Sequence, residues 1–346
     1  MTRTVNVKNL PIGGGNRVTI QSMTNTPTAD FEKTADQIDR LIAAGCDIIR
    51  LAVCSSEEVE VCKRYIDKFN VPLVADIQFD YKLAIRCSEI GFSKVRINPG
   101  NIGSEAGVKK LVDVCKANGT PIRIGVNGGS LEKEVHGSGA EALAESALKN
   151  VALLEKFGFY DTIISVKSSD VRTMIEANRI ISSKCDYPLH LGVTESGDVD
   201  AGTLKSAIGI GALLADGIGD TIRVSLSGDP INEVYAARNI LRAVGLDKNY
   251  CEIISCPTCS RCSYDLAAVV SEVREFTMDF NSPLKVAVMG CVVNGPGEAK
   301  NADCGVAGGK DKAVLFKKGQ IIKTIPTTDI LFELKKLISQ LTGDKG

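Results

Sequence analysis

One repeating unit fills most of this chain, from residue 17 to about residue 245. Each unit is a short run of β-branched apolar residues, then a polar turn, then an amphipathic stretch with helical period. The eight runs cover residues 17–23, 47–53, 72–77, 93–97, 121–126, 161–166, 188–193 and 221–226. Eight strands that alternate with helices predict an α/β fold of the (β/α)₈ TIM-barrel type, with a doubly wound sheet as the alternative.

Positively charged side chains stand where several of these runs end. They are Arg50, Arg96, Arg123, Lys167 and Arg223. In a barrel the carboxyl ends of all strands meet at one mouth, where active sites lie. Five cations at one mouth repel one another unless an anion neutralises them, and guanidinium groups match phosphate oxygens in bidentate geometry. The pattern therefore predicts a diphosphate site, although each cation alone could also form a surface ion pair.

Neutral polar side chains accompany these cations. Asn98 stands two residues after Arg96, and Ser225 two residues after Arg223. Asn127 follows Arg123 at twice that spacing. Because residues two apart on a strand point to the same face, cations and neutral donors are expected to face the mouth together. Two acids, Asp76 and Glu195, also stand at strand ends.

Length and composition limit the possible classes of protein. A chain of 346 residues, 44% of them hydrophobic, is long enough for two domains, expected at 1–247 and 248–346. The net charge of -1 gives no general attraction to nucleic acid or to an anionic membrane. The chain shows neither an apolar signal core nor a run long enough to span a bilayer. We expect a cytoplasmic protein whose 12 cysteines serve as metal ligands or buried thiols.

Beyond residue 250 the sequence suggests a metal centre. Cys256 and Cys259 are expected to open a helical stretch, whereas Cys291 follows a predicted strand at 284–289. Three thiolates suit an iron–sulfur cluster, because soft sulfur binds iron. The turn at 294–297 could return Glu298 to the same metal, and a carboxylate ligand would leave one iron exchangeable.

Two other kinds of metal site would use some of the same cysteines. A zinc site would use Cys256, Cys259, Cys291 and Cys304. That reading gives a different function, in which a zinc-ribbon-bearing barrel binds a phosphorylated ligand without redox chemistry. A bacterial ferredoxin run could begin with Cys256, Cys259 and Cys262, but it needs a cysteine followed by proline where this chain has Leu266 and Ala267.

The motifs together resemble the 4-hydroxy-3-methylbut-2-enyl diphosphate synthase family in its bacterial two-domain form. The matching segments run in order along nearly the whole chain: residues 20–26, LVADIQFDY, RINPGNIG, PIRIGVNGGSLEK, SVKSSD, GIGDTIRVSLSGDP, SCPTCSRC and GCVVNGPGEA. The resemblance implies an enzyme of isoprenoid biosynthesis that opens 2-C-methyl-D-erythritol 2,4-cyclodiphosphate reductively with two electrons. It also implies flavodoxin or ferredoxin as the electron donor and a head-to-tail homodimer.

The resemblance assigns roles to individual residues. It implies a [4Fe–4S] cluster on Cys256, Cys259, Cys291 and Glu298, and a diphosphate held by the barrel cations. Glu195 is the candidate for proton transfer, with Asp76 and Asn98 orienting hydroxyl groups.

The chain departs from the family pattern at two positions. It has Gln78 where the family commonly has histidine, and Cys262 where the family usually has another residue. We leave Cys262 out of the expected ligand set.

Overall fold

The computed structural model describes residues 1–98, 102, 104–128, 139–278, 280–291 and 299–343. These residues form two compact units, Met1–Leu246 and Asp247–Gly346. The boundary expected from the sequence lies one residue further along the chain. In the described part of the chain, no helix is long and apolar enough to cross a membrane.

The first unit contains the eight predicted parallel strands. They are β3 (Thr19–Met23), β4 (Ile48–Ala52), β5 (Leu73–Asp76), β6 (Lys94–Ile97), β7 (Ile122–Asn127), β8 (Thr162–Lys167), β9 (His190–Leu191) and β10 (Thr221–Ile222). The ladder runs in the order β8-β7-β6-β5-β4-β3-β10-β9, and a parallel bridge between Ile164 and Leu189 joins its two ends. The predicted TIM-barrel fold is therefore confirmed.

Two strands are much shorter than predicted, and side chains bond to the backbone just beyond them. Beyond β10, the backbone N–H of Leu226 donates to the Glu233 carboxylate at 3.2 Å. The carbonyl oxygen of Ser225 accepts a hydrogen bond from the Ser196 hydroxyl, which lies beyond β9. The strands predicted over 188–193 and 221–226 are two residues long each.

Eight helices alternate with the barrel strands. They are α1 (Phe31–Ala43), α2 (Ser56–Lys68), α3 (Tyr81–Glu89), α4 (Glu105–Asn118), α5 (Ala140–Lys156), α6 (Val171–Lys184), α7 (Val199–Ala215) and α8 (Ile231–Ala243). Most begin at a side-chain cap that accepts a backbone N–H of the first turn: Asp30, Ser55, Asp80, Ser104, Asp170 and Asp198. Such caps fix where each helix leaves the loop that follows its strand.

A short antiparallel hairpin closes the amino end of the barrel. It consists of β1 (Val5–Val7) and β2 (Leu10–Ile12). Its buried side chains pack against inward-facing residues of three barrel strands, Ile48, Val74 and Ile163. This apolar plug leaves the carboxyl ends of the strands as the open end of the barrel, and the sequence analysis did not predict it.

The second unit is a five-stranded sheet covered by helices. Its strands are β11 (Cys251–Ser255), β12 (Leu284–Met289), β13 (Cys304–Gly308), β14 (Lys312–Lys317) and β15 (Gln320–Pro326). The first three are parallel and the last two antiparallel, in sequential order. Helices α9 (Leu266–Phe276) and α10 (Ile330–Thr342) pack on this sheet. The predicted small α/β domain and its strand at 284–289 are confirmed.

The prediction that a helix begins at Cys256 is wrong. Residues 256–265 form a loop, and α9 begins at Leu266 with Asp265 as its cap. Pro257 lacks a backbone N–H, and the Asp265 carboxylate captures the N–H of Ala268 at 3.0 Å. Cys256, Cys259 and Cys262 therefore lie on a loop at the carboxyl end of β11.

Candidate functional site: a cationic barrel mouth and a cysteine edge

The open end of the barrel contains a small polar cavity of about 130 Å³. All five cations predicted from the strand ends line it. The lining residues are Arg50, Asp76, Gln78, Arg96, Arg123, Gly125, Asn127, Lys167, Thr194, Arg223 and Ser225. The strands bring these side chains together because their registers place Asp76 beside Arg96, Arg96 beside Arg123, and Asn127 beside Lys167.

Two expected site residues lie outside this lining. Asn98 is buried just after β6. Glu195 is exposed and follows Thr194, which does line the cavity. Its φ of 53° is left-handed, a conformation that non-glycine residues adopt rarely. The structure thus places Glu195 at the edge of the mouth rather than in the cavity.

Asp76 is the acid inside the cavity, and it joins two of the cations. Its carboxylate accepts a hydrogen bond from Arg96 Nη1 at 3.1 Å and lies 3.8 Å from Arg50 Nε. Burial alone would raise the pKa of Asp76, but Arg50, Arg96 and Arg123 outweigh burial and hold that pKa below its usual value. Asp76 is therefore a carboxylate that accepts hydrogen bonds, not an acid that gives a proton.

A second acid, missed in the sequence, holds Arg223. Glu233 on α8 is 3% exposed. Its two oxygens accept hydrogen bonds from Arg223 Nε and Nη2 at 3.2 and 3.1 Å. Ser22 Oγ donates to the same carboxylate at 2.8 Å. This fork fixes the guanidinium plane of Arg223 toward the cavity. Glu233 shares the buried face of α8 with Ala236 and Ala237, so an acid on an apolar helix face was the available signal.

Methionine and glycine make room for the cations. Met23 Sδ accepts weak hydrogen bonds from Arg50 Nε and Nη2 at 3.0 and 2.8 Å. A Cβ atom at Gly125 would lie 2.3 Å from Arg96 Nε, and one at Gly192 would lie 2.7 Å from Lys167 Nζ. Any side chain at these two glycines would displace a cation from the mouth.

The mouth carries more positive than negative charge. Among the described residues, the ion pairs at the mouth join Asp76 to Arg50 and Arg96, and Glu233 to Arg223. Burial, reinforced by the neighbouring arginines, lowers the pKa of Arg50 to about 10. The same causes lower the pKa of Lys167 well below its usual value. Because unpaired buried charge costs several kcal/mol per ion, the arrangement favours binding of a multiply charged anion.

The second unit carries the predicted metal-binding cysteines along one edge. Cys256 follows β11 and Cys291 lies two residues after the end of β12; the parallel register of Ser255 with Val288 brings both strand ends together. The N–H of Gly290 donates to Cys256 Sγ at 3.2 Å. Cys262 Sγ packs against the same glycine, because a Cβ at Gly290 would lie 2.9 Å from it.

The remaining predicted ligands are less closely placed. Cys259 is exposed on the same loop, and Glu298 lies outside the described residues. Among the residues that are described, no three cysteine, histidine or acidic side chains converge as a metal site. The donor set nevertheless fits an iron–sulfur cluster in its chemistry, since thiols share one strand edge and a backbone N–H already donates to a sulfur.

Cys304 lies at the opposite end of this sheet, which excludes the zinc set proposed above. It pairs with Val286 on β12, five residues before Cys291. At about 3.3 Å per residue, that separation is roughly 16 Å along the strand. Cys304 is also fully buried. It cannot share a tetrahedral site with Cys256 and Cys291, so the zinc alternative loses its fourth ligand.

These features define a class: a TIM barrel with a cationic mouth, joined to a small α/β domain that presents cysteines at the carboxyl ends of its strands. The model of the GcpE TIM-barrel domain matches residues 2–238, and that of the GcpE protein C-terminal domain matches residues 252–340. The chain belongs to the GcpE family, and the resemblance inferred from its motifs is confirmed.

Several curated relatives match the chain over its full length. One from Caldanaerobacter subterraneus subsp. tengcongensis is 56% identical, covering 100% of this chain and 98% of that protein. One from Clostridium perfringens is 54% identical, covering 98% and 99%. Both are named 4-hydroxy-3-methylbut-2-en-1-yl diphosphate synthase (flavodoxin).

Solved structures of dihydropteroate synthases share the barrel. The enzyme from Stenotrophomonas maltophilia aligns with a TM-score of 0.53 and 15% identity, covering 70% of this chain and 98% of that one. The enzyme from Yersinia pestis aligns with a TM-score of 0.51 and 12% identity, covering 70% and 98%. At such identities the likeness shows the fold alone.

Replacing Glu233 by glutamine should weaken anion binding without unfolding the barrel. A glutamine amide has only one accepting oxygen. Arg223 would therefore lose one of its two hydrogen bonds to residue 233, and with it a fixed orientation. We expect the affinity for inorganic diphosphate, measured by calorimetry, to fall about tenfold, as for the loss of one charged hydrogen bond. Glu155→Gln, which alters an acid bonded to Tyr187 elsewhere, is the matched control. Equal affinities in the two variants would remove the positioning role.

Anion binding should be accompanied by proton uptake at Lys167. Burial and the charges of Arg223, Arg123 and Arg50 lower the pKa of this lysine in the free protein, and Glu233 offsets them only in part. A bound anion favours the charged form and raises that pKa again, so binding takes up a proton at pH values between the two.

Calorimetry with inorganic diphosphate, in two buffers of different ionisation enthalpy, measures this uptake. The wild type should take up more protons than Lys167→Met, and the difference isolates the lysine because the ligand titrates equally in both. Without a bound anion, the pKa of Lys167 is lower in the folded protein than in the unfolded chain. The unfolded chain therefore binds more protons at pH values between these two pKa values. Stability should therefore rise with pH from the folded pKa toward the usual lysine value. Identical uptake in wild type and variant would contradict the assignment.

Proposed function

We propose that this chain is an iron–sulfur oxidoreductase of isoprenoid biosynthesis. It converts 2-C-methyl-D-erythritol 2,4-cyclodiphosphate to (E)-4-hydroxy-3-methylbut-2-enyl diphosphate, by reductive ring opening with loss of water. The observation that carries the proposal is that five cations line the same cavity in a GcpE-family barrel. Full-length identity of 49 to 56% to synthases of this name supports the reaction.

The barrel cations hold the diphosphate. Arg96, Arg123 and Arg223 offer planar guanidinium donors, which match phosphate oxygens in pairs. Arg50 and Lys167 add charge at the same cavity, with Asn127 and Ser225 as neutral polar groups. This excess of donors fixes the ring of the substrate by its two phosphates, so its carbon atoms point out of the barrel mouth.

The acids take separate roles. Asp76 stays ionised and accepts a hydrogen bond from a substrate hydroxyl, because its neighbouring arginines keep it deprotonated. Asn98 orients the neighbouring hydroxyl. Glu195, exposed at the rim, exchanges protons with water and passes one to the departing hydroxyl oxygen.

Cys256, Cys259, Cys291 and Glu298 are the proposed ligands of a [4Fe–4S] cluster. When bound, this group would supply two electrons, one at a time, to the substrate. The N–H of Gly290 donates to Cys256 Sγ and so stabilises negative charge on that sulfur.

We infer the electron donor from the names of the curated relatives, and the assembly from the family resemblance. The curated relatives carry flavodoxin in their names, which supports flavodoxin, with ferredoxin as the other candidate. The net charge of -1 gives no overall electrostatic attraction between the chain and such a donor. A head-to-tail homodimer is the assembly that the family resemblance supports.

Product formation tests the reaction. Anaerobically purified protein, shown beforehand to contain iron and sulfide, is incubated with the cyclic diphosphate and a strong artificial reductant, and the products are followed by NMR. We expect the linear hydroxymethylbutenyl diphosphate. Unconverted substrate in the presence of an intact cluster would overturn the proposal.

Iron content tests the proposed ligands separately from turnover. Cys291→Ser should lose most of its iron and brown colour, because oxygen replaces a soft thiolate. Cys304→Ser, at the opposite end of the sheet, is the control and should keep the wild-type iron content. Loss of iron from both variants, or from Cys304→Ser alone, would contradict the ligand set. Zinc in place of iron in the purified wild type would do the same.

A further inference from the structure

The interior of the barrel, below the cationic mouth, contains polar atoms without partners. Gln21 is 1% exposed, and neither its amide nitrogen nor its oxygen has a hydrogen-bond partner among the described residues. The same holds for Lys94 Nζ, for Arg123 Nε and Nη2, for His190 Nε2 and for Thr19 Oγ1. Native proteins satisfy nearly all buried polar atoms with protein, water or ions. Water or an ion must therefore satisfy this group of atoms.

Strand register brings these side chains to adjacent levels of the barrel. Each level of a barrel takes inward side chains from alternate strands. One level contains Gln21, Val74, Arg123 and His190. The level beneath it contains Ile48, Lys94, Ile163 and Thr221. Four polar side chains of these two adjacent levels form one group, which we call the inner polar level: Gln21, Arg123 and His190 from the upper and Lys94 from the lower.

The inner polar level is enclosed on both sides. On the amino side, Ile48, Val74 and Ile163, which belong to the same two levels, pack against the apolar hairpin. Above it lie the arginines of the mouth, Arg50, Arg96 and Arg223. The four side chains of the level are all at most 1% exposed, so bulk water does not reach their polar atoms.

The unpartnered atoms are mostly donors. Lys94 Nζ, the two Arg123 nitrogens and the Gln21 amide nitrogen all offer N–H groups. The Gln21 carbonyl oxygen only accepts, whereas His190 Nε2 and Thr19 Oγ1 can donate or accept. The two carboxylates of the mouth, Asp76 and Glu233, already accept bonds from other arginines. A water molecule donates as many hydrogen bonds as it accepts, whereas an anion only accepts. The excess of donors and the Arg123 charge therefore favour an anion.

We propose that the inner polar level binds one small monovalent inorganic anion of the halide class. Its ligands are Lys94 Nζ, the inward-facing nitrogens of Arg123 and the amide nitrogen of Gln21. His190 closes the site, with its Nδ1 hydrogen-bonded to Thr221 Oγ1 at 3.4 Å. The anion neutralises the inward side of Arg123, while the outer side of the same guanidinium lines the diphosphate cavity. This site does not depend on the cluster or on the proposed reaction.

Bromide is the probe, because its anomalous scattering distinguishes it from water. In crystals of the full chain grown in sodium bromide, we expect one anomalous peak within hydrogen-bond distance of Lys94 Nζ and Arg123 Nε. In solution, bromide should raise the melting temperature in a saturable way relative to gluconate at equal ionic strength, since gluconate is a much larger anion than a halide.

Three variants make the test specific. Lys94→Met and Gln21→Leu remove ligands from different strands, and each should lower the bromide affinity by about tenfold or more. If one of them fails to fold, the other still tests the site. Thr162→Val is the control. Its buried hydroxyl is also without a partner, but Thr162 is one residue from inward-facing Ile163 and so faces away from the barrel interior. It should bind bromide like the wild type.

Two results would overturn the proposal. One is water density without an anomalous peak at the inner polar level. The other is an unchanged bromide effect in Lys94→Met or Gln21→Leu, which would place the halide elsewhere on the protein.

Discussion

The fold of this protein must accommodate an excess of buried positive charge at one end of the barrel. Five cations reach one cavity of about 130 Å³, and Asp76 and Glu233 offset only part of their charge. Concentrating like charges in a poorly hydrated space opposes folding, so the fold must compensate locally. It does so with the Glu233 fork on Arg223, the Asp76 carboxylate between two arginines, and the Met23 sulfur beside Arg50. Because part of the charge remains uncompensated, we expect the cavity to bind an anion.

In the second unit, strand pairing brings together cysteines that are far apart in the sequence. Parallel pairing of β11 and β12 brings the loops after both strands to one edge, so cysteines 35 residues apart in sequence can act together. Gly290 permits this approach, because a side chain there would collide with Cys262. The same register sends Cys304 to the far end of the sheet. Strand direction therefore decides which thiols can share a metal, and the spacing of cysteines in the sequence does not.

The sequence predicted the barrel and its cations well, because both follow from local patterns. β-branched runs define strands, and the residue at the end of a parallel strand must lie at the mouth whatever the helices do. Glu233 and the inner polar level were missed because their roles depend on packing. The role of an acid on α8, or of a glutamine in β3, depends on the side chains that surround it in the folded protein. The hairpin at residues 5–12 was missed because each of its strands is three residues long, too short to show a period. The helix expected at Cys256 was wrong because a proline and the Asp265 cap outweigh the apolar pattern that follows.

The affinity of the barrel mouth for the cyclic diphosphate is the measurement that tests the central claim most directly. It can be made by calorimetry on the wild type and on Arg96→Gln, which removes one guanidinium from the cavity lining. The account predicts tight binding by the wild type and a loss of about tenfold or more in the variant, as expected for charge-assisted hydrogen bonds to phosphate. Equal affinities in the two proteins would contradict the account, because the diphosphate would then be bound somewhere other than the cationic mouth.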